Sequence, residues 1–216
     1  MKLKLDLHIH TEQSRDSVNS LKDVNARCRA LKLDGYAICD HDTMNGLKPT
    51  HDEELDLVIV PGLEVSARGA HVLCFQPCDI IKPGLSIPET VDAIHVQGGI
   101  AVLAHPFSLL KSWVNINEVL SANFDAVEVA NASQWPFDYI MGRNEKLAST
   151  LKLPATGGSD SHIPETIGRG YTVVDTDSRK IDDILKAIKA GRTKPVGVGT
   201  SYYERCLKIY RVGQKR

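Results

Sequence analysis

Seven short apolar runs, each ending in polar residues and followed by a stretch of helical period, constrain this chain more than any other feature. The runs are Leu3–Ile9, Tyr36–Cys39, Leu57–Val60, His71–Phe75, Ile100–Ala104, Ala126–Val129 and Pro154–Thr156. Between them, residues 20–33 set Leu21, Val24, Cys28 and Leu31 at three- and four-residue steps. Residues 86–98 open on a capping-box pattern, Ser86 with Glu89, and stop at Gly98-Gly99. Residues 178–191 turn Ile181, Ile184, Leu185 and Ile188 to one side and end on Gly191 as a C-cap. Strand followed by helix, repeated, implies a parallel sheet, because parallel strands need a crossover of about a dozen residues or more. Seven units in 216 residues allow about 31 residues each, close to the ~30 of a βαβ module. The expected architecture is α/β, a closed or distorted barrel, with an open doubly wound sheet as the alternative.

No linker, internal repeat or low-complexity segment interrupts the pattern, so one domain over residues 1–216 is expected. A 42 % hydrophobic share and a 25 % charged share are ordinary for a globular core and exclude disordered or collagen-like readings. Twenty-six Lys+Arg against 27 Asp+Glu argue against broad, non-specific binding to nucleic acid or membrane surfaces. From residue 205 to 216 the chain carries Arg205, Lys208, Arg211, Lys215 and Arg216 without an acid, a basic tail expected to fray. No run approaches the ~18 apolar residues of a membrane helix, and the N-terminal MKLKLDLHIHT has no secretory pattern. Five cysteines without zinc-site spacing read as free, mostly buried thiols in a reducing cytoplasm.

The chemistry stands at the strand ends. The first run finishes in Asp6-Leu7-His8-Ile9-His10-Thr11, the second in Asp40-His41-Asp42-Thr43, the third in Pro61-Gly62-Leu63-Glu64-Val65-Ser66. His71 opens the fourth; the fifth ends in Ala104-His105-Pro106, the sixth in Glu128-Val129-Ala130-Asn131, the seventh in Gly157-Gly158-Ser159-Asp160-Ser161-His162. In an α/β barrel the C-terminal strand ends converge on one rim. Crowding that many ionisable groups without a cation is costly, and imidazole and carboxylate are the usual ligands of divalent metals.

These motifs, in this order from Asp6 to about Val174, resemble those of the PHP (polymerase and histidinol phosphatase) family. The resemblance implies a distorted seven-stranded α/β barrel of the PHP type, with a trinuclear metal site at the C-terminal rim and phosphoester hydrolysis. It implies that His8, His10, Glu64 and Asp160 hold a first ion. Glu64 would bridge to a second, completed by His71 and His105; Asp16, His41 and His162 would hold a third. Asp16 is spaced one residue longer than the family pattern, with Asp40 and Asp42 as alternatives. Two to three divalent ions are expected, and N/O ligands suit Mn, Fe or Zn alike. Three such ions against three carboxylates and a hydroxide leave about two positive charges, matched to a phosphate ester. A metal-bridging hydroxide would attack phosphorus, with Glu64 shared between ions and His162 or Asp42 assisting the leaving oxygen.

Arg169, in a Gly-rich turn after the last metal motif, is a candidate phosphate clamp, with a solvated surface arginine as the alternative; Asn131 is a candidate uncharged contact, and Ser108, Lys111 and Arg143 are weaker substrate candidates. Forty-one positions separate Glu64 from His105, room for a strand and a helix but no inserted cap. The first functional reading is a phosphoesterase acting on a small phosphomonoester or nucleotide. Its alternatives are a nuclease trimming oligonucleotide ends and a non-catalytic module whose basic tail contacts a partner or RNA. Oligomeric state is left open.

Overall fold

A computed structural model describes residues 1–47, 56–108 and 112–215, without the side chains of residues 108, 112 and 113. In chain order the elements are β1 (Lys2–Ile9), α1 (Leu21–Ala30), β2 (Gly35–Ile38), β3 (Val58–Ala67), β4 (Ala70–Phe75), α2 (Ile87–Val96), β5 (Ile100–Ala104), β6 (Phe107–Ser108) and β7 (Ser112–Trp113). They continue with α3 (Ile116–Ser121), β8 (Ala126–Asn131), α4 (Phe137–Leu151), β9 (Ala155–Gly158), β10 (Gly170–Asp175), α5 (Ile181–Lys189), β11 (Thr193–Gly197) and α6 (Tyr202–Gln214).

Among the described residues, nine strands form one sheet in the order β11-β10-β1-β2-β3-β4-β5-β8-β9, and β6 pairs with β7 separately. Just beyond β9 the chain returns to β1. Ile9 bridges Ser161 in parallel, and the His10 amide donates to the Ser161 carbonyl at 3.0 Å. The strands from β1 to β9 thereby make a nearly closed ring, a distorted barrel, with β10 and β11 as an antiparallel wing on β1. Gly158 permits that closure: a Cβ there would stand 2.4 Å from the Cβ of His8.

The sheet departs from the all-parallel expectation. Pairs β1–β2, β2–β3, β5–β8 and β8–β9 are parallel. Strand β4 is antiparallel to both its neighbours. Only Arg68 and Gly69 join β3 to β4, too short a link for a crossover, and Gly69 supplies the positive φ of +85° that the turn needs. The apolar run that starts at Leu57 also continues past Pro61 to Ala67. Strand β10 alternates buried and partly exposed residues and β11 buries none fully, so they lack the continuous apolar runs that marked the ring strands.

Helix boundaries follow local chemistry. Ser86 and Glu89 make both bonds of their capping box at α2, and Gly191 follows α5 with φ +70°. As far as it is described, the basic tail is docked and is helical through Gln214, a correction to the expected fraying. A second capping box, Ser201 with Glu204, starts α6 just ahead of the basic stretch. Inside the ring, Leu3, Leu5 and Leu7 pack with Val60, Phe75 and Val102, and Ile184, Leu185 and Ile188 of α5 close that end. The polar end of the ring is left to the strand C-termini.

Candidate metal centre

A shift of register between Asp6 and Ile9 changes which side of β1 faces inward. Leu3, Leu5 and Leu7 belong to the ring interior, whereas Ile9 packs outside with Val24 and Cys28 of α1. This bulge turns His8 and His10 into the ring above Leu7, where both are completely buried.

Glu64, also completely buried, sits at the centre of what they meet. Its Oε2 lies 3.2 Å from His8 Nε2, 3.1 Å from His10 Nε2 and 3.3 Å from His41 Nδ1. Its Oε1 lies 2.8 Å from His71 Nδ1 and 3.0 Å from His105 Nε2. Asp160 Oδ1 approaches His10 Nε2 at 3.2 Å. Further out, His162 Nε2 and Asp16 Oδ2 are 3.0 Å apart, with His41 Nε2 at 3.9 Å from Asp16 Oδ1. The nine residues expected to hold metal therefore converge. Three overlapping donor groups, His8/His10/Glu64, His41/Glu64/His71 and His10/His41/His162, each fit within 4.8 Å.

The hydrogen bonds behind the rings decide what these donors present. His8 Nδ1 is 2.9 Å from Glu128 Oε1. Ser14 Oγ donates to Asp40 Oδ1, so it can only accept from His10 Nδ1 at 3.3 Å. In their neutral, metal-binding form both rings would aim Nε2 lone pairs at each other, 3.1 Å apart, and at two carboxylates. His162 repeats the arrangement: Nδ1 donates to the Asp160 carbonyl at 2.8 Å, leaving an Nε2 lone pair facing Asp16. Acceptor facing acceptor at these distances requires something positive between them, protons in the metal-free chain or a bound cation. A divalent cation with N and O ligands fits that donor set, and the backing carboxylate and hydroxyl are what orient metal-binding imidazoles.

Burial alone would raise the Glu64 carboxyl, but His8, His41 and His71 hold it well below the usual range. Burial likewise opposes charge on His8, yet Glu128, Glu64 and Asp160 raise it well above an ordinary imidazole. His41 goes the other way, to about 4, chiefly through burial, and so does His162, to about 3, through burial and the neighbouring His10. Asp16, against its burial, is lowered by His162, His10 and His41. Asp42, His105 and Asp160 all adopt positive φ (51°, 27° and 50°), strained backbone of the kind that gathers at functional sites.

The substrate candidates fare differently. Arg169 donates through Nε (3.0 Å) and Nη2 (2.6 Å) to Glu204 Oε1, so its fork is held by α6 rather than extended over the rim. Asn131 is fully buried behind the cluster, its Nδ2 on Glu128 Oε2 and its Oδ1 on the Ser133 amide, and is not a surface contact. The Arg143 guanidinium lies over the Phe107 ring. Lys111 and the Ser108 side chain lie outside the described residues. Asp42 accepts from the Ser66 amide at 2.8 Å, and Asp40 is occupied by Thr11 and Ser14, so neither stands in for Asp16.

Several supporting residues were invisible as such in the sequence. Glu128 holds His8, the His105 amide and Asn131; Ser14 holds His10 and the His41 amide; Ser133 Oγ donates to Asp160 Oδ2. Glu128 stands at the end of the sixth run, and that position was its one signal. Asp6, raised by burial to about 6, ties the His8, Ser159 and Gly168 amides together beneath the site.

Comparison with known proteins agrees with this picture. A family model described as PHP-associated matches residues 142–193. The uncharacterized protein MJ1587 of Methanocaldococcus jannaschii is 30 % identical over 142 residues, 60 % of this chain and 82 % of that protein. MJ0417 of the same organism is 25 % identical over 175 residues, 78 % and 69 % of the two chains. PsfC from Pseudomonas syringae PB-5123 has a similar structure, with TM-score 0.75 and 17 % identity over 100 % of this chain and 99 % of that one. So does a Bacteroides vulgatus two-domain protein containing a predicted PHP-like metal-dependent phosphoesterase (TM-score 0.68, 18 % identity, 98 % and 70 % coverage). The lesion-specific endonuclease PfuEndoQ from Pyrococcus furiosus is a third (TM-score 0.67, 19 % identity, 90 % and 58 % coverage). With its strand-end motifs in order, its barrel and these relatives, the chain belongs to the PHP family.

Proposed function

We propose that this chain is a metal-dependent hydrolase of phosphate esters, acting on a small phosphomonoester or nucleotide with two to three divalent ions. The observation that carries the reading is the buried Glu64 carboxylate within 3.3 Å of five imidazoles. When bound, the ions would polarise phosphoryl oxygens and lower the pKa of water toward ~7. Glu64 would be shared between ions, bringing two positive centres close enough to act on one phosphoryl group. His8 and His10, fixed by Glu128 and Ser14, would hold their Nε2 atoms in place without reorganisation. Asp160, steadied by Ser133, would close the inner position, while Asp16, His41 and His162 would hold the outer one. His162 suits ligation better than proton donation, because its Nδ1 hydrogen is engaged by the Asp160 carbonyl. Asp42, half-buried beside His41, is then the better of the two residues considered for the leaving oxygen.

A second reading is a phosphodiesterase trimming oligonucleotide ends. It is favoured by the openness of the outer side, where the His41, His71 and Asp16 side chains are 22, 23 and 35 % exposed. The likeness to a lesion-specific endonuclease points the same way. A single-domain enzyme of the cytoplasm accords with five cysteines outside any disulfide. Among the described residues no helix is long and apolar enough to cross a membrane.

The test is a panel of p-nitrophenyl phosphate, its bis ester, nucleotides and short RNA, with protein reconstituted in Mn, Fe or Zn. Turnover of monoesters above the bis ester supports the first reading, and the reverse order supports the second. No turnover at full metal occupancy would make the chain a non-catalytic member.

A further inference from the structure

Helix α6 carries an exposed apolar face and turns most of its charged residues toward the barrel. Tyr202, Tyr203, Ile209 and Tyr210 are exposed by 63 to 83 %, whereas Glu204, Arg205, Lys208 and Arg211, with Val212, are buried or half-buried on the side toward the barrel. That side is tied to the segments that carry the metal-site residues. Arg205 donates to the Ser133 carbonyl at 3.0 Å, next to the Ser133 hydroxyl that holds Asp160. Arg211 pairs with Glu165 at 2.7 Å, three residues after His162. Lys215 makes the most complete contact: its ammonium donates to the carbonyls of Glu12, Ser14 and Ser17 at 2.6, 2.8 and 2.7 Å. Those three bonds use all the donors of an ammonium group. They pin both sides of the turn that carries Asp16.

Asp16 needs such a pin. It lies in a loop between β1 and α1, its side chain is 35 % exposed, and its contact with His162 joins two chain segments far apart in sequence. The loop is also tied by Ser14 Oγ to Asp40 and by the Val18 amide and Ser17 hydroxyl to the His162 carbonyl. Lys215 adds three bonds that grip the carbonyls on both sides of Asp16, and ligand groups must be held within about 0.5 Å to bind well.

We infer that Lys215 positions Asp16 and thereby sets the affinity of the outer cation position that Asp16 shares with His41 and His162. The inference rests on the metal-centre reading above. Lys215 touches no ligand atom; it acts through the backbone of residues 12–17.

The experiment uses the full chain, stripped by chelation and titrated with Mn2+ alone, with binding followed calorimetrically and ions per chain counted by elemental analysis. Asp16→Asn identifies the equivalent that depends on the outer position. Lys215→Met is expected to weaken that same equivalent at least tenfold and leave the others unchanged. Lys215→Arg, which keeps donors to carbonyls, recovers most of the affinity. The double variant with Asp16→Asn binds no worse than Asp16→Asn alone. If Lys215→Met does not fold, Glu165→Gln, which frees Arg211 and loosens α6 from the His162 side, serves in its place with the same selective loss expected.

Equal weakening of every equivalent would mark Lys215 as a general stabiliser and overturn the inference. So would an unchanged titration of Lys215→Met, or an Asp16→Asn protein that keeps its full complement. A wild-type chain that binds no Mn2+ at all would instead remove the metal-centre reading, a distinguishable result.

Discussion

Glu128 Oε1 stands 2.9 Å from His8 Nδ1, and the other oxygen of the same carboxylate accepts from the His105 amide at 3.0 Å. One buried side chain thus orients the His8 imidazole and fixes the backbone at His105. Glu128 holds no place among the donors that face Glu64, yet the direction of His8 Nε2 depends on it.

Glu128→Gln tests that dependence. Both carboxylate oxygens accept, on one side from His8 and on the other from the His105 amide and Asn131, so an amide must turn its NH2 toward donors. Loss of such a partner typically costs 10–100-fold in metal affinity or activity. A titration of the stripped protein reads it directly; affinity within twofold of wild type would make Glu128 a packing residue only.

Glu64→Gln removes the charge at the centre of the cluster. Activity is expected to fall at least ~10²-fold, the scale of losing one strong transition-state electrostatic contact. At least one bound equivalent should be lost as well. Elemental analysis beside the rate separates the two effects. Full metal content with most of the activity retained would take Glu64 out of the centre.

Metal removal and pH should interact. Folded His41 and His162 titrate near 4 and 3, whereas unfolded imidazoles titrate near 6.5. As pH falls below about 6.5, the unfolded chain takes up two protons that the folded chain refuses, and stability drops. Asp6, raised to about 6, opposes this between about 4 and 6, because there the folded chain holds the proton. Two groups against one leave a net loss on acidification, which Glu64 and Asp16, both lowered in the folded chain, steepen below about pH 4.5. Above 6.5 the sign reverses: His8 and His10, both raised, keep protons that the unfolded chain has released, and stability falls as pH rises through their folded values. The chelated protein should therefore melt highest near pH 6 to 6.5. Added Mn2+ should flatten the alkaline limb by replacing those protons and raise Tm by mass action. Melting curves from pH 4.5 to 8, with and without chelator, check both; a chelated protein whose Tm rises steadily to pH 8 contradicts the assignment.

Arg169→Lys should leave kcat/KM within about twofold, since the guanidinium already grips Glu204, and a partly exposed pair of this kind contributes little beyond ~1 kcal/mol. A small drop in Tm is the expected sign of the lost fork. A tenfold loss in kcat/KM at matched metal content would restore Arg169 as a phosphate clamp.

The strand-end motifs were legible because each is local: a short run supplies a strand, and the polar residues that follow it must stand at its C-terminal end. His8, His10, Glu64, His105, Asp160 and His162 could be named that way, and so could the capping box at Ser86. Tertiary structure alone decided which side of β1 those histidines face, since the bulge that turns them inward depends on pairing with β2. It alone decided that β4 runs backward, that Arg169 is claimed by Glu204, and that Glu128, Ser14 and Lys215 support the site from behind. The physical reason is range. Apolar periodicity and caps act over three to five residues, whereas an imidazole is oriented by a carboxylate 120 positions away, and a ligand loop by an ammonium 198 to 203 positions away. Those meetings exist only after the ring has closed at Ile9 and Ser161.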